Sequence, residues 1–501
     1  TRVDQVGSWL AQLARGNVAE AAQAMCEALA ALNHHKLQAG ARLELLELYR
    51  NAIGDLLPAM KAQFVIVPLP LPERNQRIAD LNRRLYTELA HGYKIAMQDL
   101  ADGASEFVIQ RAIACLGQVL STCYETYVPV PGGVWSDIHR LYRHAERYGL
   151  LDKPVEDGAA TSSVTQVCKQ AYLLAVADPY HLMQGEVIRV LDYAGRFAHL
   201  AELRSGAAGD VQGSLFLVPV SGDASPQSLP KNGREIDWER NELLHTTALA
   251  AHLSQQLGGL EAGIAPADLL LPEVARDQTY RNLLKRLLKH WGAPAKRYFN
   301  RKQHSAGLEL CVGIRAIHYF LNGEQVYGAA AQSGHGNGEL DFSTGASAKT
   351  SPFSASSWNI VNESAGGMAL VQASSIHSQI RSGETIGLRS EGSSQWNIAV
   401  VRWVKTDSKN RLELGIQMLA PYATAVAVKS AAAGTAAPFQ VALLLPEIPL
   451  LKQSPRLLAS RGSLQAQREF LLECDDRVSS CMAGEQVEAT AIFEQFEFTQ
   501  A

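Results

Sequence analysis

The chain has 501 residues, 47% of them hydrophobic and 19% charged, with a formal net charge of −4. This composition excludes an unfolded polyelectrolyte, and the acidic balance argues against a broad DNA- or RNA-binding face, which needs clustered Lys and Arg against phosphate. The length suggests about three or four domains. Seven cysteines (Cys26, Cys115, Cys123, Cys168, Cys311, Cys474 and Cys481) are scattered with no Cys-x-x-Cys spacing. That usage reads as reduced thiols in a cytoplasmic protein. No apolar run reads as a membrane span; Val441 to Leu445 is stopped by Pro446.

From Ser8 to about Leu203 the sequence is expected to be helical, in about seven or eight helices. Leu45, Tyr49, Ile53, Leu56 and Leu57 recur at three- and four-residue spacing, and Ala19 to Ala31 is rich in the best helix former. Val67 to Pro72 alternates with proline and reads as an extended connector. Val128 to Gly133 and Lys153 to Ser163 are further breaks. The connecting stretch 206–292 is expected to be mixed: a strand within Gly213–Val220, a polar loop to Gly233, then helices over Trp238–Leu257 and Asp277–Trp291.

After Pro294 short strands are expected at close spacing. Leu308–Phe320, Trp358–Leu370, Thr385–Leu388, Asn397–Val404 and Leu412–Leu419 suggest an antiparallel barrel over 293–430. Gly323 to Ser357 is rich in Gly, Ser and Ala and reads as an irregular insertion. Beyond a small-residue linker, Ala431 to Ala437, residues 431–501 form a β-rich C-terminal extension, either part of the barrel or a separate unit. The fold class is therefore α+β multidomain: a helical region over 1–205, the connecting domain, the barrel and the extension.

Two stretches carry the chemistry. Lys296-Arg297-Tyr298-Phe299-Asn300-Arg301-Lys302 puts four cations in seven residues just before the first strand. Arg297 and Arg301 make Arg-x-x-x-Arg; a guanidinium can grip phosphate with two N–H groups, stack on a base, or donate to guanine O6 and N7. The plain alternative is a solvated basic helix end. Arg143 and Arg147 repeat the spacing inside a helix, where surface charge is the default. The second stretch, Asn362-Glu363-Ser364-Ala365-Gly366-Gly367, reads as a polar loop between two strands, with glycines that let backbone N–H groups approach a ligand.

Arg-x-x-x-Arg at the start of a barrel, followed by Asn-x-Ser-x-x-Gly, resembles the PilZ domain family. Val400-Val401-Arg402-Trp403-Val404 and Leu414-Gly415-Ile416 look like that family's closing strands. The resemblance covers roughly 296–421. It implies a cyclic di-GMP site: Arg297 and Arg301, with Lys302, on phosphates and guanine; Asn362 and Ser364 on guanine; Gly366 and Gly367 in the turn. The segment between the two motifs is longer than that family usually has. The resemblance implies a cytoplasmic, non-enzymatic receptor with no cofactor besides its ligand, signalling through an unidentified protein partner on the helical region. The alternative is a degenerate barrel that binds no nucleotide and acts as a scaffold.

Catalytic patterns are scarce. No His-Glu-x-x-His, Walker A or Gly-x-Ser-x-Gly occurs. His335, near Glu339 and Asp341, lies in a Gly-rich stretch whose default reading is a polar loop. His34, His35, His139 and His144 fall on helical sequence, where surface or half-buried histidines are ordinary. Cys474 and Cys481 flank a turn and call for no metal.

Overall fold

In a computed structural model the described residues are 2–13, 17–100, 105–158, 160–205, 213–229, 236–238, 240–292, 302–303, 306–328, 351–364, 367–373, 379–407, 411–432, 437–449, 453–475, 477–490 and 492–500. They form two compact units, residues 1–67 with 71–297, and residues 68–70 with 298–501.

The first unit opens with α1 (Val3–Leu13), α2 (Val18–His34), α3 (Ala39–Lys61), α4 (Glu73–Gln98), α5 (Glu106–Glu125) and α6 (Val134–Arg147). A short hairpin, β1 (Val155–Asp157) and β2 (Ala160–Ser162), precedes α7 (Val164–Val176) and α8 (Glu186–Phe197). Local signals fix several ends. Asn17 accepts from the Ala19 N–H at 2.9 Å, and Ser163 and Gln166 cap each other's backbone at the start of α7. The start of α6 is capped from a distance: Asp223 accepts from the N–H groups of Gly133 (2.7 Å) and Ser136 (3.0 Å). Those two bonds hold its carboxyl below its ordinary pKa. Helix α5 is long and apolar enough to cross a membrane by length and composition, against the expectation that no segment would be, but its residues are mostly buried among the other helices.

The chain continues through β3 (Glu202–Ser205), β4 (Leu215–Val218), β5 (Gln227–Ser228), β6 (Glu242–His245), α9 (Thr247–Glu261) and α10 (Gln278–Gly292). The strands make one antiparallel sheet in the order β3-β6-β4-β5. The expected helix over Trp238–Leu257 thus holds strand β6 at Glu242–His245 and is helical only from Thr247. Leu243 and Leu244 are both buried, and a short apolar run cannot by itself distinguish a buried strand from a helix. Trp291 anchors α10; it is fully buried and donates from Nε1 to the Leu173 carbonyl at 3.1 Å. One continuous core runs from Leu10 to Trp291, so this stretch packs with the helices.

The second unit holds two closed antiparallel barrels. The first comprises β7 (Lys302–Gln303), β8 (Gly307–Val312), β9 (Ser356–Ser364), β10 (Gly367–Gln372), β11 (Thr385–Ser390), β12 (Asn397–Thr406) and β13 (Leu412–Ala420). Six strands close it in the order β10-β13-β12-β11-β8-β9, with β9 pairing back onto β10, and β7 adds to β9. Between β8 and β9 lies α11 (Ile314–Leu321), where the sequence had suggested strand to Phe320. Gly313, at φ +89°, turns the chain out of β8. Ile314, Ile317 and Leu321 then face one way at helical spacing. Leu69, in the extended proline-rich connector, bridges to Ile380 with N–H···O distances of 3.0 and 2.8 Å.

The second barrel is built from β14 (Thr424–Ser430), β15 (Gln440–Leu445), β16 (Arg456–Ser460), β17 (Glu469–Cys474), β18 (Arg477–Ala489) and β19 (Phe493–Gln500), closing as β14-β15-β16-β19-β18-β17. The β-rich extension is therefore a barrel of its own. Ile314 and Ile317 of α11, Ile398 and Val400 of the first barrel, and Leu443 and Phe493 of the second share one apolar cluster.

One buried charge sets a pH dependence. Glu242 opens β6 at 8% exposure. Burial, then the nearby Glu146, pushes its carboxyl up from 4.5 to about 7, against the pull of Arg143. Because the folded value lies above the unfolded one, its contribution is full below about pH 4.5 and is lost as pH rises through about 7. Glu242→Gln is expected to flatten that slope and raise stability at about pH 8 by on the order of 2 kcal/mol, read by urea unfolding at about pH 5.5 and 8.

Candidate functional site

The hairpin β9–β10 holds Asn362, Ser364 and Gly367. Trp358, fully buried, fixes its base and donates from Nε1 to Ser356 Oγ at 2.9 Å. Ile360 pairs with Leu370 and Asn362 with Ala369, so Val361 is an extra residue with no partner on β10. This is a β-bulge, and Val361 is correspondingly 44% exposed. Leu370 is fully buried in the barrel. Its neighbour Ala369 therefore points outward, and so does Asn362 across from it. The bulge is what turns the polar side chain onto the outer surface.

Asn362 and Ser364 lie in strand β9 itself, not in the polar loop that the sequence suggested. Only residues 365–366 separate the two strands, and Gly366 lies outside the described residues. Ser364 closes the end by donating from Oγ to the Gly367 carbonyl at 3.1 Å. Gly367 is needed for close approach rather than for a left-handed turn. A Cβ there would lie 2.0 Å from the Ile416 carbonyl oxygen of β13.

A row of directly paired residues crosses the outer face from this point: Asn362 to Ala369, Ala369 to Gly415, Gly415 to Trp403. The indole lies across Gly415, where a Cβ would meet Trp403 Nε1 at 1.7 Å. The tryptophan and glycine of the closing strands are thus a matched pair, one filling the space that the other leaves empty.

The basic segment reaches the same hairpin. In the ladder Lys302 pairs with Glu363 and Gln303 with Asn362, so β7 runs antiparallel beside the Asn-x-Ser stretch. Residues sixty apart in the sequence are neighbours there. The structure describes the backbone of Lys302; Arg297 and Arg301 lie outside the described residues. The segment between the motifs returns to regular structure at Ser356, one residue before the expected end of the insertion, and its residues 329–350 lie outside the described residues.

Other candidates are placed as follows. His335, Glu339 and Asp341 lie outside the described residues. His139 is fully buried, stacked near Trp135, with Nδ1 3.1 Å from the Gly222 carbonyl; burial lowers its pKa. Cys474 ends β17 and Cys481 lies within β18, on either side of a tight turn. Among the described residues no group of three His, Cys, Asp or Glu side chains could hold a metal ion. A cavity of about 710 Å³ sits away from the hairpin, between α11 and the second barrel, lined by Arg315, His318, Tyr319, Tyr327, Phe353 and Phe439. Sequence reading had passed over α11 and therefore this cavity.

Comparison with known proteins covers almost the whole chain. Residues 4–208 match the family described as "Cyclic-di-GMP receptor FimW, N-terminal domain". Residues 215–354 and 339–425 match "Cyclic-di-GMP receptor FimW, middle PilZ domain", and residues 425–501 match "FimW C-terminal beta-barrel domain". The chain is 27% identical over 557 aligned positions to the cyclic-di-GMP receptor FimW of Pseudomonas aeruginosa, covering 98% of this chain and 90% of that protein. No solved structure matches.

The packing makes a direct prediction. Gly415→Val is expected to displace the indole and lower stability by about 1–3 kcal/mol, the usual cost of overpacking. Gly367→Ala is expected to disturb the β10–β13 pairing by a comparable amount. Urea unfolding of each variant checks both; a midpoint unchanged from the parent would contradict the close contacts.

Proposed function

We propose that this chain, which carries a PilZ domain and belongs to the PilZ-containing cyclic di-GMP receptor family, binds cyclic di-GMP on the outer face of its first barrel. The observation that carries the reading is the pairing of Lys302 and Gln303 with Glu363 and Asn362. Arg301 is one peptide away from Lys302, and consecutive Cα atoms are about 3.8 Å apart. The pairing supports one shared surface for the arginine motif and the Asn-x-Ser motif despite the insertion.

In this reading Arg297 and Arg301 grip phosphate and guanine, with Lys302 adding charge. Asn362 and Ser364 hydrogen-bond guanine from β9, and Gly366 and Gly367 keep the end of the hairpin free of side chains. Four cations in seven residues repel one another, and a dianion bridging them to the hairpin relieves that repulsion. Binding would fix the segment after α10 against the barrel and change the arrangement of domains, a shift that requires different affinities in the two states. Of the expected divisions, helical region 1–205, connecting domain 206–292, PilZ-like barrel 293–430 and extension 431–501, the last boundary moves to between Ala420 and Thr424, because β14 belongs to the second barrel, and the connecting stretch shares the core of the helices. The receptor signals through a protein partner on the helical region rather than by catalysis. A cytoplasmic setting suits its seven free cysteines.

Calorimetric titration of the full chain with cyclic di-GMP tests this. Arg297→Ala and Arg301→Ala are each expected to weaken binding by about tenfold or more, since charge-assisted pairs contribute about 1.5–3 kcal/mol. Affinity unchanged in both variants would remove the arginines from the site. A wild type that gives no heat and no shift would leave a non-binding scaffold barrel.

A further inference from the structure

The outer face beside the hairpin ends at a contact between the two barrels. Strand β12 bulges at Arg402: Val401 pairs with Ile416 and Trp403 with Gly415, leaving Arg402 without a partner on β13. Strand β18 is also irregular on both sides of Gln486, just before Glu488. These two irregular points meet. The Arg402 guanidinium forks onto the Glu488 carboxylate, with Nη2 to Oε2 at 3.0 Å, and its Nε donates to Gln417 Oε1 at 2.8 Å. Gln417 pairs directly with Gly367, and Gly367 with Ser364. Ser364 and Gln417 are thus about two strand spacings, roughly 10 Å, apart on one face.

We propose that Arg402 is a third arginine of the nucleotide site, contacting ligand phosphate, and that Glu488 of the second barrel is the residue that positions it. Arginine has five N–H donors. Three are committed here, to Gln417 and Glu488, which leaves two among the described residues on a side chain 32% exposed. A guanidinium already held in one orientation loses less freedom on gripping phosphate. Removing Glu488 would strengthen the local attraction for an anion, but at this exposure water and salt screen that gain. Loss of orientation is the larger effect. The second barrel thereby becomes part of the ligand site, although its own sequence carries no nucleotide motif.

The proposal rests on the nucleotide reading above, and calorimetry of the full chain with cyclic di-GMP separates the two. Arg402→Ala is expected to weaken binding by about tenfold, and Glu488→Ala by about threefold to fivefold. The double variant should bind like Arg402→Ala alone, because Glu488 acts only through the arginine. Glu488→Asp should recover part of the loss, which a purely structural role would not require. Thermal unfolding controls for folding. If Arg402→Ala fails to fold, Arg402→Lys keeps the charge and loses the fork, and wild-type affinity in it overturns the proposal. Affinity within about twofold of wild type in a folded Arg402→Ala, or losses that multiply in the double variant, also overturn it. Should Arg301→Ala weaken binding while Arg402→Ala does not, only this inference falls. A wild type that binds nothing overturns both.

Discussion

Strand β9 is laddered on both edges, and the first barrel depends on that. On one side it pairs with β10 and closes the ring of six; on the other it pairs with β8 over 356–359 and with β7 over 362–363. A strand held on both edges cannot slip by a residue without breaking two ladders at once, and a slip would turn Asn362 and Ser364 to the other face. The outward position of the two polar side chains is therefore set by backbone hydrogen bonds. The bulge at Val361 is the local adjustment that gives a core strand two surface-facing polar residues at its end.

The same economy appears in the small residues. Ala369 and Gly415 lie between Asn362 and Trp403 in one row, and the indole covers the glycine. A side chain at 415 would push the indole away, and one at 367 would collide with the β13 backbone. Glycine at these two positions follows from close packing rather than from any unusual φ. Further along the same outer face, where Val400 pairs with Gln417, α11 and the outward faces of β12 and β15 share an apolar cluster. Burial there, at about 25 cal/mol per Å² of apolar surface, holds the two barrels in one unit.

How much of this was legible follows from what sequence periodicity can see. The eight helices before Leu200 could be read because their apolar residues repeat over three turns or more. Glu242–His245 and Ile314–Leu321 could not, since each is too short for a period to declare itself and each is settled by what it packs against. Asn362–Ser364 read as loop because its residues are polar, and polarity marks exposure, not conformation. The motif spacing was misleading in another way. An insertion lengthens the chain between two motifs, but loop closure costs only about 0.6 kcal/mol per doubling, so separation in sequence says little about separation in the fold. The β7–β9 register, which sets Lys302 and Gln303 beside Glu363 and Asn362, leaves no trace in either motif taken alone.

Charge presents the last apparent conflict, since a chain of net charge −4 is an unpromising receptor for an anion. Screening resolves most of it: at physiological salt the Debye length is about 8 Å, so distant carboxylates hardly count. What matters is the local balance. In the second unit Arg389, Arg402, Arg411 and Arg456 each lie against a carboxylate. The sequence from Ala293 to Gly307 holds Lys296, Arg297, Arg301 and Lys302 and no Asp or Glu at all. Those cations have no counter-charge nearby in sequence, and the backbone brings the last of them, Lys302, beside Glu363, the hairpin's one carboxylate, between the neutral Asn362 and Ser364. The proposed site therefore asks only for a local excess of positive charge, not for the broad cationic face that would attract nucleic acid.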